Sequence, residues 1–335
     1  MNNLFRKIAA LPWGFVLLFD LAALLALGMA LALATDNVTS PKQNSALGDK
    51  RIAITFDDAP RGAGAFLDPA VRPQMLRAAL ARAGVRQAAF FANPGRLNAG
   101  GRNEADLLTY AKAGHVLANH TATHKVLSNV SAESFIADIA EAETWLKAHP
   151  GYRPWFRFPQ LDEGNRNVTK RDAVRGALTS MGLRHGYVTA DGWDWYLESL
   201  TVKANAAGKP MDLDGLRDLY IETHVMSANF ADSLARRTLG RAPAQVLLLH
   251  ETDLAALYIE DLVRALRKDG WTIITADEAY ADPMGKLPLP VKADANGTLV
   301  QMLSWERGTK GPRWFERNEV EVMNRLFKEQ VLRAN

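Results

Sequence analysis

The chain of 335 residues contains no cysteine. That excludes a disulfide framework, a thiolate metal site and a thiol nucleophile, so any metal must rest on His, Asp or Glu. No sign of charge dominates: 40 Lys and Arg stand against 37 Asp and Glu, a net charge of +3 spread without blocks. The basic stripe of a nucleic-acid-binding protein is missing. A Gly-rich phosphate loop is missing too, since Arg61-Gly62-Ala63-Gly64 follows Pro60 and lacks the dinucleotide-binding spacing. With 48% apolar and 23% charged residues, the composition excludes disorder and collagen-like repeats. The length suffices for one large core or two modest ones.

A long hydrophobic run occurs once. Ile8 to Ala34 is almost wholly apolar apart from Asp20, follows Arg6 and Lys7, and ends on Ala32-Leu33-Ala34 before polar Thr35. This pattern predicts export to the periplasm or cell exterior, with residues 1–34 as a cleaved signal peptide or an uncleaved membrane anchor. Residues 35–50 read as a polar linker.

After the linker the pattern is regular. Strand-like runs occupy Arg51–Phe56, Ala88–Phe91, His115–Asn119, Trp155–Phe158, Gly186–Thr189, Val246–Leu249 and Trp271–Thr275. Helix-period segments lie between most of them, at Pro69–Ala83, Glu104–Ala113, Ala132–Ala148, Lys170–Met181 and Leu254–Asp269. Gly84, Gly114, Gly182 and Gly270 follow four of these helices, and glycine tolerates the left-handed conformation that ends a helix. The alternation predicts an α/β fold with a parallel sheet closed or nearly closed into a barrel; an open doubly wound sheet is the alternative.

Ionisable residues collect where these strands end. The first run delivers Asp57-Asp58, the third His120 and His124, the fourth Arg157, the fifth Asp191 and Asp194, and the sixth His250 and Glu251. In barrels of this kind the loops at the C-terminal strand ends carry the active site. Two His four apart can face one metal ion with Asp58 as a third ligand, which leaves positions open for water. Asp57 and Asp58 are strand neighbours on opposite sides, so they should differ in role: one binds metal and the other can take a proton.

These clusters, in this order, resemble the polysaccharide deacetylases, also called carbohydrate esterase family 4 or the NodB-homology domain. The matching motifs are Thr55-Phe56-Asp57-Asp58, His120-Thr121-x-x-His124, Arg157-x-Pro159, Asp191-x-x-Asp194-Trp195 and Leu248-x-His250. The resemblance implies a distorted (β/α)7 barrel over residues 51–281, and a divalent metal held by Asp58, His120 and His124. Zinc is the first choice, with cobalt, nickel or manganese as alternatives. It further implies Asp57 as catalytic base paired with Arg157, and His250 as general acid with Asp191 orienting its ring. Trp195 and Leu248 would wall the acetyl pocket, Pro159 and Gln160 would complete it, and Thr121 would brace the His loop. The implied partner is a glycan, with no nucleic acid and no membrane contact beyond an N-terminal anchor. Two departures stand out: Ala59-Pro60 where the family commonly has Gly, and Gln160 where an aromatic is usual.

The implied activity is metal-dependent hydrolysis of N-acetyl groups on chitooligosaccharide or peptidoglycan. The alternatives are O-deacetylation of a polysaccharide and non-catalytic glycan binding. Leu213–Tyr220 and Asn229–Leu239, inside a long connection, read as two helices forming a lid or specificity subsite. In the extension 282–335, Glu316–Arg333 carries Val320, Met323, Phe327 and Val331 on one stripe. It reads as a helix packed outside the barrel, with Trp305 and Trp314 packed as well.

Overall fold

The computed structural model describes residues 49–98, 103–291 and 295–333. The expected signal or anchor segment 1–34, and the linker apart from Asp49 and Lys50, lie outside them. Among the described residues no helix is long and apolar enough to cross a membrane.

Strands and helices alternate as β1 (Arg51–Ala59), α1 (Arg72–Arg82), β2 (Ala89–Ala92), α2 (Glu104–Lys112), β3 (Val116–Asn119), α3 (Ala132–Lys147) and β4 (Tyr152–Phe156). Next come β5 (Asp162–Asn165), α4 (Val168–Ser180), β6 (Arg184–His185), β7 (Ala190–Asp191), α5 (Asp194–Ala206) and α6 (Leu213–Leu239). The chain continues through β8 (Gln245–His250), α7 (Asp253–Lys268), β9 (Thr272–Ile273) and α8 (Ala276–Tyr280). It finishes with β10 (Ala295–Asn296), α9 (Leu299–Glu306) and α10 (Val320–Gln330). The predicted glycines Gly84, Gly114, Gly182 and Gly270 all have positive φ.

Seven strands run in the order β6-β4-β3-β2-β1-β8-β7, every pairing parallel, and β9 adds to the first residues of β1. The two edges, β6 and β7, are nearly consecutive in sequence. His185 and Ala190 are five residues apart, and an extended chain spans at most about 18 Å over that distance. The sheet must therefore curl until its edges almost meet, which makes it an incompletely closed parallel barrel.

Residues 186–189, expected as a strand, form this bridge instead. Among the described residues they form no ladder; the ends alone bond to the sheet, Gly186 N–H donating to the Phe156 carbonyl at 2.6 Å and Thr189 N–H to that of Val246 at 3.0 Å. A Cβ on Gly186 would fall 2.5 Å from the Phe91 ring, so the bridge also needs glycine there.

The central strands β1 and β8 are buried on both faces and read as continuous apolar runs. Ile52, Ile54 and Phe56 pack beneath α1, α6 and α7, in a layer with Leu76, Leu80, Leu262 and Leu266. Ala53 faces the other way, into the barrel, with Phe91, Val116, Trp155 and Tyr280. That inward face is the one that leads to Thr55 and Asp57.

Two expectations for the later chain are corrected. The two helices of the long connection are one continuous helix, α6. Polar residues between them, Thr223, His224 and Ser227, are buried, so the break in apolar pattern marks an inner face rather than a loop. Trp305 and Trp314 are 61% and 46% exposed rather than packed; Arg313 stacks on the first, and the second donates to the Asn318 carbonyl. The terminal helix does pack, α10 burying Met323 and Phe327 against α5 and α6, with Val331 just beyond it, while Val320 stays exposed. Met323→Ala should therefore lower stability by about 2–5 kcal/mol, and Val320→Ala by under about 0.5 kcal/mol, in urea denaturation.

Candidate active site

The site begins with a buried cation. Arg157, just past β4, donates through Nη1 to Asp57 Oδ1 at 2.5 Å and to Thr55 Oγ1 at 3.0 Å. Its Nε donates to the Gly186 carbonyl at 2.8 Å and its Nη2 to the Tyr280 hydroxyl at 2.8 Å. The guanidinium also lies 3.7 Å from the centroid of the Phe91 ring. Tyr280 is delivered by α8, a helix started by a Thr275/Glu278 capping box, and its hydroxyl donates to the Tyr187 carbonyl at 3.0 Å. Asp57 is thus held rigidly beside His250, its register partner on β8.

Asp58 adopts φ 63°, so it leaves the strand alternation and meets the loop after β3. Thr121 and His124 in that loop have φ 64° and 63°. Three non-glycine residues in this conformation store backbone strain of about 1–3 kcal/mol each, and surrounding bonds hold them there. Asn93 Nδ2 donates to the carbonyls of His120 at 2.6 Å and Thr121 at 3.0 Å. Asn119 Oδ1 accepts from Thr121 N–H at 2.9 Å, and Asp138 accepts from Thr123 N–H at 3.0 Å and Oγ1 at 2.9 Å. The bracing assigned to Thr121 therefore comes from Asn93, Asn119 and Asp138; the Thr121 hydroxyl is buried without a partner.

Asp58, His120 and His124 fit a metal ion. One ligand atom from each lies within 4.8 Å of the others. Asp58 Oδ1 is buried with no hydrogen bond, 2.9 Å from His124 Nε2 and 3.6 Å from His120 Nε2. His120 Nδ1 sits 2.8 Å from the Arg157 carbonyl, which can only accept, so Nδ1 carries the proton and Nε2 presents a lone pair. Burial keeps this imidazole neutral, its pKa down to about 4. Burial opposes charge on Asp58, but His124, Arg61 and His250 outweigh it and hold the carboxyl well below its usual range. Two imidazole nitrogens and one carboxylate oxygen suit zinc or a similar divalent cation.

The expected partner of His250 is corrected. Its Nδ1 lies 2.7 Å from Asp194 Oδ1, and its backbone N–H donates to Asp194 Oδ2 at 2.6 Å. Asp191 instead caps a turn, its Oδ1 accepting from Trp193 N–H at 2.9 Å. Trp193 at φ 55° separates the two carboxylates and aims only Asp194 at the imidazole. Burial disfavours the imidazolium, yet the charge and hydrogen bond of Asp194 prevail and raise the His250 pKa to about 9. Burial, with the nearby Asp194 charge, pushes Asp191 up to about 6.

The four expected pocket residues come from three elements. Trp195 is 40% exposed on α5 and lines a cleft with Arg61. Leu248 is buried in β8, in register with Thr55 and Asp191. Pro159 is buried and Gln160 exposed on the turn after β4.

Sequence reading passed over the loop after β1. Arg61 Nη1 donates to Asp58 Oδ2 at 2.6 Å, away from the oxygen that faces the histidines. The loop is pinned by the buried Arg72, whose Nε donates to Asp253 Oδ1 at 2.7 Å and Nη2 to the Gly62 carbonyl at 2.8 Å. Asp253 Oδ2 accepts from the N–H groups of Phe66 and Leu67, and Glu251 Oε2 from that of Arg61 at 2.7 Å. An Arg at a helix start and two acids after His250 were the available signals.

Sequence comparison matches residues 44–184 to the polysaccharide deacetylase family model. That stretch holds Asp57, Asp58, His120, His124 and Arg157, and ends before Asp194 and His250. No curated protein matches the chain. Among solved structures, it is similar to a family 4 carbohydrate esterase from Streptomyces lividans in complex with acetate. There the identity is 20%, 69% of this chain and 95% of that one are covered, and the TM-score is 0.46. Peptidoglycan deacetylase PdaC from Bacillus subtilis is similar at 18% identity, with 69% and 90% covered and a TM-score of 0.45. A family 4 pseudoenzyme from Bacillus anthracis is similar at 17% identity, with 69% and 65% covered and a TM-score of 0.46.

The Asp194–His250 pair can be tested directly. NMR titration of His250 should give a pKa of about 9 in the wild type. In Asp194→Asn it should fall sharply, because the Asp58 charge is then all that opposes burial and Arg61. Asp191→Asn should move it much less. Since the folded pKa is raised, the stability from this pair is full below the unfolded value of about 6.5. It is lost as pH rises through about 9.

Proposed function

We propose, from the match of residues 44–184 to the polysaccharide deacetylase family model, that this chain hydrolyses an N-acetylated glycan, chitooligosaccharide or peptidoglycan, and releases acetate. The observation that carries the reading is the arrangement around Asp58, His120 and His124. A carboxylate locked by Arg157 stands on one side, and an imidazole locked by Asp194 on the other.

A divalent cation, zinc in the first instance, would be held by Asp58, His120 and His124 and would supply Lewis acidity toward the acyl oxygen and water. Asp57 accepts a proton from the attacking water, while Arg157 holds its carboxylate in place. The C–O bond to water forms, the C–N bond breaks, and His250 gives its Nε2 proton to the departing amine. Trp195 and Leu248 wall the acetyl site, and Pro159 and the Gln160 backbone complete it. A His250 pKa near 9 favours N-deacetylation over O-deacetylation, because an amine needs a proton to leave and the imidazolium still holds one at neutral pH. The same proposal takes residues 1–34 as a cleaved export signal or an uncleaved anchor; N-terminal sequencing of the mature protein distinguishes the two, and an intact cytoplasmic protein would refute export.

Acetate release from chitotetraose should stop on chelation and return with added zinc. His120→Ala should lose bound metal. Asp57→Asn should keep its metal yet lose about 10²–10⁴-fold in kcat. The alkaline limb of kcat/KM should lie near pH 9, since the acid is deprotonated above that value. Full activity in chelator would overturn the proposal.

A further inference from the structure

Two clefts run along α5 away from the metal ligands. The first, about 280 Å³, is lined by Arg61, Gly62, Trp195, Glu198 and Lys203. The second, about 210 Å³, is lined by Lys203, Lys209, Asn324 and Lys328, between α5 and α10. Lys203 lines both, so the clefts adjoin at this side chain and trace a path along α5 whose first end is the arginine bound to Asp58. Trp195 and Lys203 are eight residues apart on the helix, about 12 Å by helical rise, more than one sugar unit.

The charge of this path is one-sided. Lys203, Lys209 and Lys328 are exposed, and among the described residues their ammonium groups make no hydrogen bond or ion pair. Arg61 uses a single nitrogen, on Asp58. The second cleft has no acidic lining residue. The first has one, Glu198, which is buried and whose pKa is raised to about 7 by that burial and by the Asp253 charge. The other cation lining the first cleft, Arg72, is spent on Asp253, and Arg157, at a separate cavity, is spent on Asp57. Unpaired like charges in a concave lining repel one another and focus a positive potential, which an anionic ligand relieves. The half-exposed face of Trp195 gives a sugar ring something to stack on at the catalytic end.

We propose that this path binds an anionic glycan strand, with one sugar at Trp195 in the cleft that Arg61 also lines and negatively charged neighbours on Lys203, Lys209 and Lys328. The proposal rests on the deacetylase reading for the sugar and on the lysines for the charge. It makes acidic polysaccharides, carrying carboxylates or phosphates, the preferred substrates over neutral chitooligosaccharides.

The two parts are tested separately. Calorimetric binding to the full chain uses cellotetraose, its C6-carboxylate form and its C6-phosphate form. All three are β-1,4-linked and free of acetyl groups, so no turnover intrudes. One or both charged forms should bind about tenfold tighter than cellotetraose, as two weak ion pairs would provide, and the advantage should shrink with added salt. Whichever form binds tighter identifies the charged group. The triple variant Lys203→Gln, Lys209→Gln, Lys328→Gln should remove the advantage, and its urea midpoint should match wild type because all three side chains are exposed. Equal affinity for all three ligands would overturn the proposal, and so would an advantage that survives in the triple variant. Acetate release from chitotetraose is measured independently. If it is absent while the charge preference holds, the deacetylase reading fails and the anionic groove stands.

Discussion

Everything at this site depends on one guanidinium removed from water. Burying Arg157 without partners would cost several kcal/mol, and the fold is arranged so that it has them. It binds Asp57 and Thr55 on β1, the Gly186 carbonyl on the bridge between the sheet edges, and Tyr280 on α8, while lying on Phe91 from β2. Its own carbonyl takes the proton of His120. One residue thereby connects the curl of the sheet, the aim of the Asp57 carboxylate and the tautomer of the His120 imidazole. Lysine would not replace it, since a point charge cannot serve these directions together.

The two halves of the candidate site come from distant parts of the chain and meet through the position of β1. Because β1 pairs with both β2 and β8, its last residues touch the His loop on one side and His250 on the other. Asp58 and Asp57 need that central place to face both. The ionic cluster of Arg72, Asp253 and Glu251 performs the same joining outside the barrel, tying the loop after β1 to the loop after β8.

Most of the barrel was legible because its strands are buried on both faces and its helices end at glycine, so local signals and tertiary structure agree. The bridge at 186–189 was not, because a strand is defined by its ladder and, among the described residues, the bridge forms none. α6 looked broken where its polar residues turn inward, a choice that only the packed structure makes. At the site, the positions of Asp57, Asp58, His120, His124, Arg157 and His250 were legible from strand-end placement. The pairing of His250 was not, since Asp191 and Asp194 differ only by which side of Trp193 they fall on, and the φ of Trp193 decides it. Tyr280 and Arg61 carry no spacing signal of their own.

The curled sheet also bears on how copies of this chain coexist. An open parallel sheet exposes two edges whose unpaired N–H and C=O groups can template pairing with another molecule. Here each edge strand is only two residues long, Arg184–His185 and Ala190–Asp191. The chain that links them spends its own backbone groups on Phe156, Val246 and Arg157. A foreign strand finds too few free groups on either edge to form a ladder, so the same bridge that seats the arginine also protects the protein against edge-to-edge aggregation.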